Sequence, residues 1–112
     1  MKIGERAERI AANYLQRKGL ALVETNYRCR WGEIDLVLRD QGTMVFAEVR
    51  LRRSQNFGGA AYSVDSRKQA RIIAAARHYL AGKRDLPCRF DVVLLGDLDP
   101  SHIEWIRDAF ST

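Results

Sequence analysis

The sequence predicts an α/β sandwich in the order α-β-β-β-α-β, on three observations. Two stretches repeat their apolar residues at helical spacing, one near the N-terminus and one after residue 66. Between them lie alternating apolar segments parted by short polar turns. After the second helix comes FDVVLL, residues 90 to 95, a nearly continuous apolar run that suits a central strand covered on both sides. A hairpin feeding a helical crossover leads into a strand that can pair parallel.

The first helix spans residues 4 to 18. Ile3, Ala7, Ile10, Ala11, Tyr14 and Leu15 form its stripe, and Gly19 follows as a stop. Glu5 points away from that stripe, whereas Glu8 lies on its margin beside Leu15 and so needs a partner, a neighbouring Arg being the plain choice. LALVETNY, residues 20 to 27, reads as a first strand ending in an Asn turn, 34 to 39 as a second and 44 to 51 as a third, with RDQG as the hairpin loop. SQNFGGAAY, residues 54 to 62, reads as a polar functional loop. The second helix runs from about 66 to 81 and is capped by Ser66 with Gln69, or by Asp65. Its apolar face is Ile72, Ile73, Ala76, Tyr79 and Leu80, and Arg67, Lys68 and Arg71 crowd its first turns, where the helix dipole prefers acids. An external anion would account for them, as would a poor helix start. HIEWIRDAF, residues 102 to 110, fits either a final strand or a short helix.

At 112 residues, 46% apolar and 29% charged, the chain suits one domain with one core. No segment reaches the roughly 18 apolar residues that span a bilayer, and the charged N-terminus is unlike a signal peptide. A cytoplasmic protein with no membrane partner is expected. The net charge of +5 favours a polyanion such as nucleic acid, or mere solubility. Cys29 and Cys88 form no CxxC pair and are expected as free thiols. His78 and His102 lack metal-ligand spacing, and His78 falls on the polar side of its helix.

The chemistry concentrates in GEIDLVLRDQGTMVFAEVRLRR, residues 32 to 53. By alternation Glu33 and Asp35 share one strand face, and Glu48 shares one with Arg50. A short loop between the strands brings Asp35 near Glu48. Two carboxylates held together need a proton or a cation between them, and hard oxygen donors suit Mg²⁺ or Mn²⁺. A base beside such a pair fits phosphoryl transfer. The competing reading is a surface lattice of cross-strand ion pairs.

GEIDLV followed by VFAEVRLR closely resembles the paired motifs of the YraN family of small bacterial proteins, which look like members of the restriction-endonuclease-like, PD-(D/E)xK superfamily and are similar to archaeal Holliday junction resolvases. ERIAANYL, FGG, RKQARIIAAARHYL, RFDVVLL and IEWIRDAF extend the resemblance over nearly the whole chain. It implies a single restriction-endonuclease-like domain over residues 1–112: a three-layer core with a mixed β-sheet of four to five strands flanked by helices, order αβββαβ(β). It further implies that Asp35 and Glu48 are metal ligands for Mg²⁺ or Mn²⁺, helped by the Val49 carbonyl. Glu8 approaches the same site, Lys68 contacts phosphate or positions the site, and Glu33 supports it. Junction resolution uses two active sites, so the resemblance also implies a homodimer.

One position departs from the pattern: Arg50 stands where the superfamily motif ends in Lys. Arginine stays protonated and presents a planar fork, so it binds phosphate but is a poor general base. Two functions of different class follow. The first is a metal-dependent DNA endonuclease with Glu8, Asp35, Glu48 and Arg50 as its catalytic set, acting on branched or junction DNA. Arg28, Arg30, Arg52, Arg53, Arg67, Lys68 and Arg71 would grip the backbone, and Trp31 and Phe57 are candidates to stack. The second is a catalytically inactive nucleic-acid-binding module of the same fold. A protein-interaction adaptor is a third, weaker reading.

Overall fold

The computed structural model describes residues 2–51, 64–83 and 86–111. The expectations for Arg52, Arg53, Phe57 and the 54–62 loop therefore lie outside the described residues. The elements are α1 (Ile3–Arg17), β1 (Ala21–Cys29), β2 (Gly32–Asp40), β3 (Thr43–Leu51), α2 (Ser66–Leu80), β4 (Cys88–Leu95) and β5 (Ile103–Phe110). The strands form one mixed sheet in the order β1-β2-β3-β4-β5, in which only β3 and β4 run parallel. This is the expected α/β order, and the ambiguous terminal segment is a strand.

Each helix covers one face of the sheet. Ala7, Ala11, Ala12 and Leu15 of α1 pack with Leu36, Leu38, Val45, Ala47, Val93 and Leu95. Ile72, Ala75, Ala76 and Tyr79 of α2 pack with Ile34, Val37, Met44, Phe46, Phe90, Val92 and Leu94. Neighbouring residues on β3 and β4 thus alternate between the two cores, which is why FDVVLL is apolar at every position but Asp91. Ile3, expected in the α1 stripe, is instead 51% exposed at the first position of the helix.

Two local features set the site. Asp65, not Ser66, caps α2: its carboxylate accepts the Lys68 amide at 2.8 Å, while the Gln69 side chain donates to the Val64 carbonyl. Gly32 lies directly under α2, and a Cβ there would sit 3.0 Å from the Arg71 carbonyl oxygen and 3.2 Å from its Cβ. Only glycine lets the N-terminal turns of α2 approach β2 this closely.

Asp91 is an unexpected part of the core. FDVVLL reads as apolar, yet this carboxylate is fully buried. Arg89 donates to both of its oxygens, Trp105 Nε1 donates at 2.9 Å, and the Asp108 amide donates at 2.9 Å. Arg89 also reaches Asp40 at 3.0 Å, tying β4 to the β2–β3 hairpin. Asp108 takes a positive φ of 51° where the β4–β5 register shifts, which turns its amide toward Asp91. The hydrogen bonds and the ion pair offset the cost of burying the charge.

Candidate functional site

Asp35 and Glu48 meet where β2 and β3 part. The ladder between these strands ends at Leu36–Ala47. Beyond that pair the Val49 amide donates to Asp35 Oδ2 at 2.9 Å instead of to a backbone carbonyl. Asp35 also hydrogen-bonds Glu48, whose side chain is 5% exposed. Burial first, then the proton shared with Glu48 and its nearby charge, push the Asp35 carboxyl up to about 8; the Val49 amide and Lys68 oppose the rise.

Glu33 does not line the carboxylate cavity with Asp35. Ile34 joins the α2 core while Leu36 and Leu38 join the α1 core, whereas Val37 returns to α2. Simple alternation is therefore broken around Asp35. Glu33 instead forms an ion pair with Arg28 across the strands at 3.5 Å, as the cross-strand lattice anticipated for that residue. It lines a neighbouring cavity of about 520 Å³ with Arg28, Cys29, Gly32, Lys68 and Arg71.

A cavity of about 230 Å³ collects Glu8, Asp35, Glu48, Val49, Arg50 and Lys68, with Gly4, Ala7 and Leu51 as its apolar rim. Lys68 Nζ lies 3.4 Å from Glu48 Oε2, so α2 delivers an ammonium to the carboxylate pair. Arg50 enters from β3, and its buried Nε has no hydrogen-bond acceptor. Lys68 lines both cavities, which joins the carboxylate pocket to the Arg28–Arg71 groove.

Glu8 does reach this pocket from α1, and its partner is Asn26 rather than an Arg. Burial, and then the Asp35 charge, raise its carboxyl above the ordinary value, while the hydrogen bond from Asn26 holds it down. Arg30 stacks on the ring of Trp31 with its guanidinium carbon 4.5 Å from the centroid, and Trp31 stays 49% exposed. Trp31 is thus no part of the core. Arg67 is exposed on α2, outside both cavities. His78 bonds the Tyr27 hydroxyl, and Cys29 and Cys88 are free.

The donor set can be tested against the expected divalent ion. Among the described residues no three His, Cys, Asp or Glu side chains close into a metal cage by themselves, so Glu8 does not complete a carboxylate triad. Mg²⁺ rarely needs one: it takes one or two carboxylates and keeps several waters. Glu48 Oε2 is buried with no hydrogen-bond donor, only the Lys68 ammonium 3.4 Å away, and burial beside Glu48 holds the Asp35 carboxyl well above its ordinary value. Two hard oxygens in that condition fit such an ion. Sequence reasoning missed Asn26 and the contact between Lys68 and Glu48. The sequence marks Asn26 as a turn ending the first strand, whereas β1 continues through it to Cys29 with Asn26 in the left-handed backbone that asparagine tolerates.

The five-strand mixed sheet with one helix on each face is the expected restriction-endonuclease-like α/β architecture. The model of the uncharacterised protein family UPF0102 matches residues 7–95, and the chain belongs to that family, the YraN family of the sequence resemblance. It is 56% identical to a UPF0102 protein of Nitrosomonas europaea over 108 residues, covering 96% of this chain and 92% of the relative. A UPF0102 protein of Methylobacillus flagellatus is 48% identical over 110 residues, covering 98% and 97%. One of Ralstonia nicotianae is 55% identical over 113 residues, covering 96% and 85%. Among the described residues no helix is long and apolar enough to cross a membrane.

Proposed function

We propose that this protein is a metal-dependent endonuclease of nucleic acid, with branched or junction DNA as its substrate class. The observation that carries the reading is the convergence of Asp35, Glu48, Arg50 and Lys68 on one cavity. Asp35 and Glu48, with the Val49 carbonyl, would hold Mg²⁺ or Mn²⁺, which supplies Lewis acidity toward a phosphate oxygen. The Val49 amide fixes the Asp35 carboxylate. Arg50 offers its guanidinium fork to the non-bridging oxygens and stabilises the charge that develops there. Lys68 supplies, from α2, the compact ammonium that Arg50 does not provide on β3.

The neighbouring groove gives the rest of the substrate a place to lie. Arg28 and Arg71 would take flanking phosphates, and Arg30 and Arg67 would extend the grip. Arg52 and Arg53 belong to the same proposal by sequence. A homodimer, presenting two such cavities to a junction, and a cytoplasmic setting complete it.

The substitution of Arg50 for the motif lysine favours one other reading, a nucleic-acid-binding module that retains the fold without turnover. Cleavage of linear, flapped and four-way-junction DNA in Mg²⁺, Mn²⁺ or chelator separates the two. Metal-dependent cutting that is lost in Glu48→Ala is the expected result. Junctions bound but left intact in every metal would overturn the nuclease in favour of the binding module. Neither cutting nor binding would remove both.

A further inference from the structure

Asn26 sits inside β1, the edge strand, with a φ of 53°. The β1–β2 register pairs Thr25 with Leu36 and Tyr27 with Ile34, so Asn26 faces Asp35 between them. Both strands are irregular at this one level: β1 in its backbone angle, β2 in the broken alternation of Ile34 and Leu36. The irregularity has a geometric result. Successive strand side chains point to opposite faces, yet Thr25 and Asn26 both line the groove of about 280 Å³ between α1 and β1. Glu8 lines that groove and the carboxylate cavity alike.

We infer that Asn26 is a positioning residue, whose left-handed backbone turns its carboxamide onto Glu8 and holds that carboxylate beside the Asp35–Glu48 pair. Glu8 needs such a holder, because it is half-buried near acids and no cation is paired with it among the described ion pairs. An amide N–H donor gives a carboxylate oxygen a fixed partner and so fixes its direction. Asparagine is suited on two counts: it tolerates positive φ and it carries the donor. The metal consequence rests on the proposed function, whereas the Asn26–Glu8 coupling does not.

Asn26→Gly separates the two contributions, since glycine accepts the left-handed backbone and removes only the carboxamide. The test compares wild type, Asn26→Gly, Glu8→Gln and the double variant. Denaturant unfolding in chelator gives a double-mutant cycle, and calorimetric titration with Mn²⁺ gives affinity. The expected result is non-additivity of at least about threefold in the unfolding constants. Mn²⁺ affinity should fall by about tenfold in each single variant and no further in the double.

Additive effects in chelator would overturn the positioning role, whatever the metal does. Wild-type Mn²⁺ affinity in Asn26→Gly, alongside weak binding by Glu8→Gln, would also overturn it. Non-additive unfolding in proteins that all fail to bind Mn²⁺ would support the positioning role and refute the metal-dependent function instead.

Discussion

Removing the charge of Asp35 should make the metal-free protein more stable. Its carboxyl rises from 3.8 to about 8 because it is buried against Glu48. The sign follows from proton linkage. Between those values the folded state holds a proton that the unfolded state has lost, so stability falls as pH rises through that window and is level above it. At about 1.4 kcal/mol for each pH unit, the full loss would be about 6 kcal/mol. A domain of this size has only about 5–15 kcal/mol in total. Water entering the open side of the cavity screens the pair, which leaves an expected loss of about 2–3 kcal/mol.

Asp35→Asn keeps an oxygen for the Val49 amide and can donate to Glu48, as the protonated acid does. In chelator at pH 8.5 the variant should be more stable than wild type by that amount, or by roughly 10 °C in Tm. At pH 4 the two should nearly coincide. Adding Mg²⁺ at pH 8.5 should raise the Tm of wild type and leave the variant unmoved. Equal pH slopes in chelator, or a variant less stable at pH 8.5, would refute the account of an Asp35 carboxyl raised by burial against Glu48.

Gly32→Ala should lose about 2 kcal/mol in denaturant unfolding, because a methyl group meets α2 backbone rather than a movable side chain. Asp91→Ala should cost about 3–5 kcal/mol by the same measurement, since it strands Arg89, the Trp105 indole and the Asp108 amide. Lys68→Gln should lower kcat on cleavable DNA by about 10²-fold while changing Kd by less than about tenfold, measured under single turnover and by anisotropy. Replacing Arg28 and Arg71 together by Gln should reduce the slope of log affinity against log salt by about 2, with equal loss for every DNA sequence.

The elements were legible because each has a local period. The apolar stripe of α1, the alternation in β2 and β3 and the continuous run of β4 each need only a neighbourhood of a few residues to be read. Where the local signal was mixed, the structure had to decide. HIEWIRDAF carries an asparate that turns its amide inward at Asp108, and becomes a strand because β4 offers an edge. Asp91 went unmarked within a nearly continuous apolar run, since its partners Trp105 and Asp108 are 14 and 17 residues away.

The candidate site divides in the same way. GEIDLV and AEVRLR announced Asp35 and Glu48 as a pair, because a hairpin makes distance along the chain a guide to distance in space. Nothing local announced that α2 would bring Lys68 within 3.4 Å of Glu48, or that Asn26 would take Glu8 as its partner. Those contacts depend on how closely α2 settles over Gly32 and how β1 and β2 distort together at Asn26 and Asp35. Periodicity places a side chain on a face, while packing between distant elements determines which charges meet there.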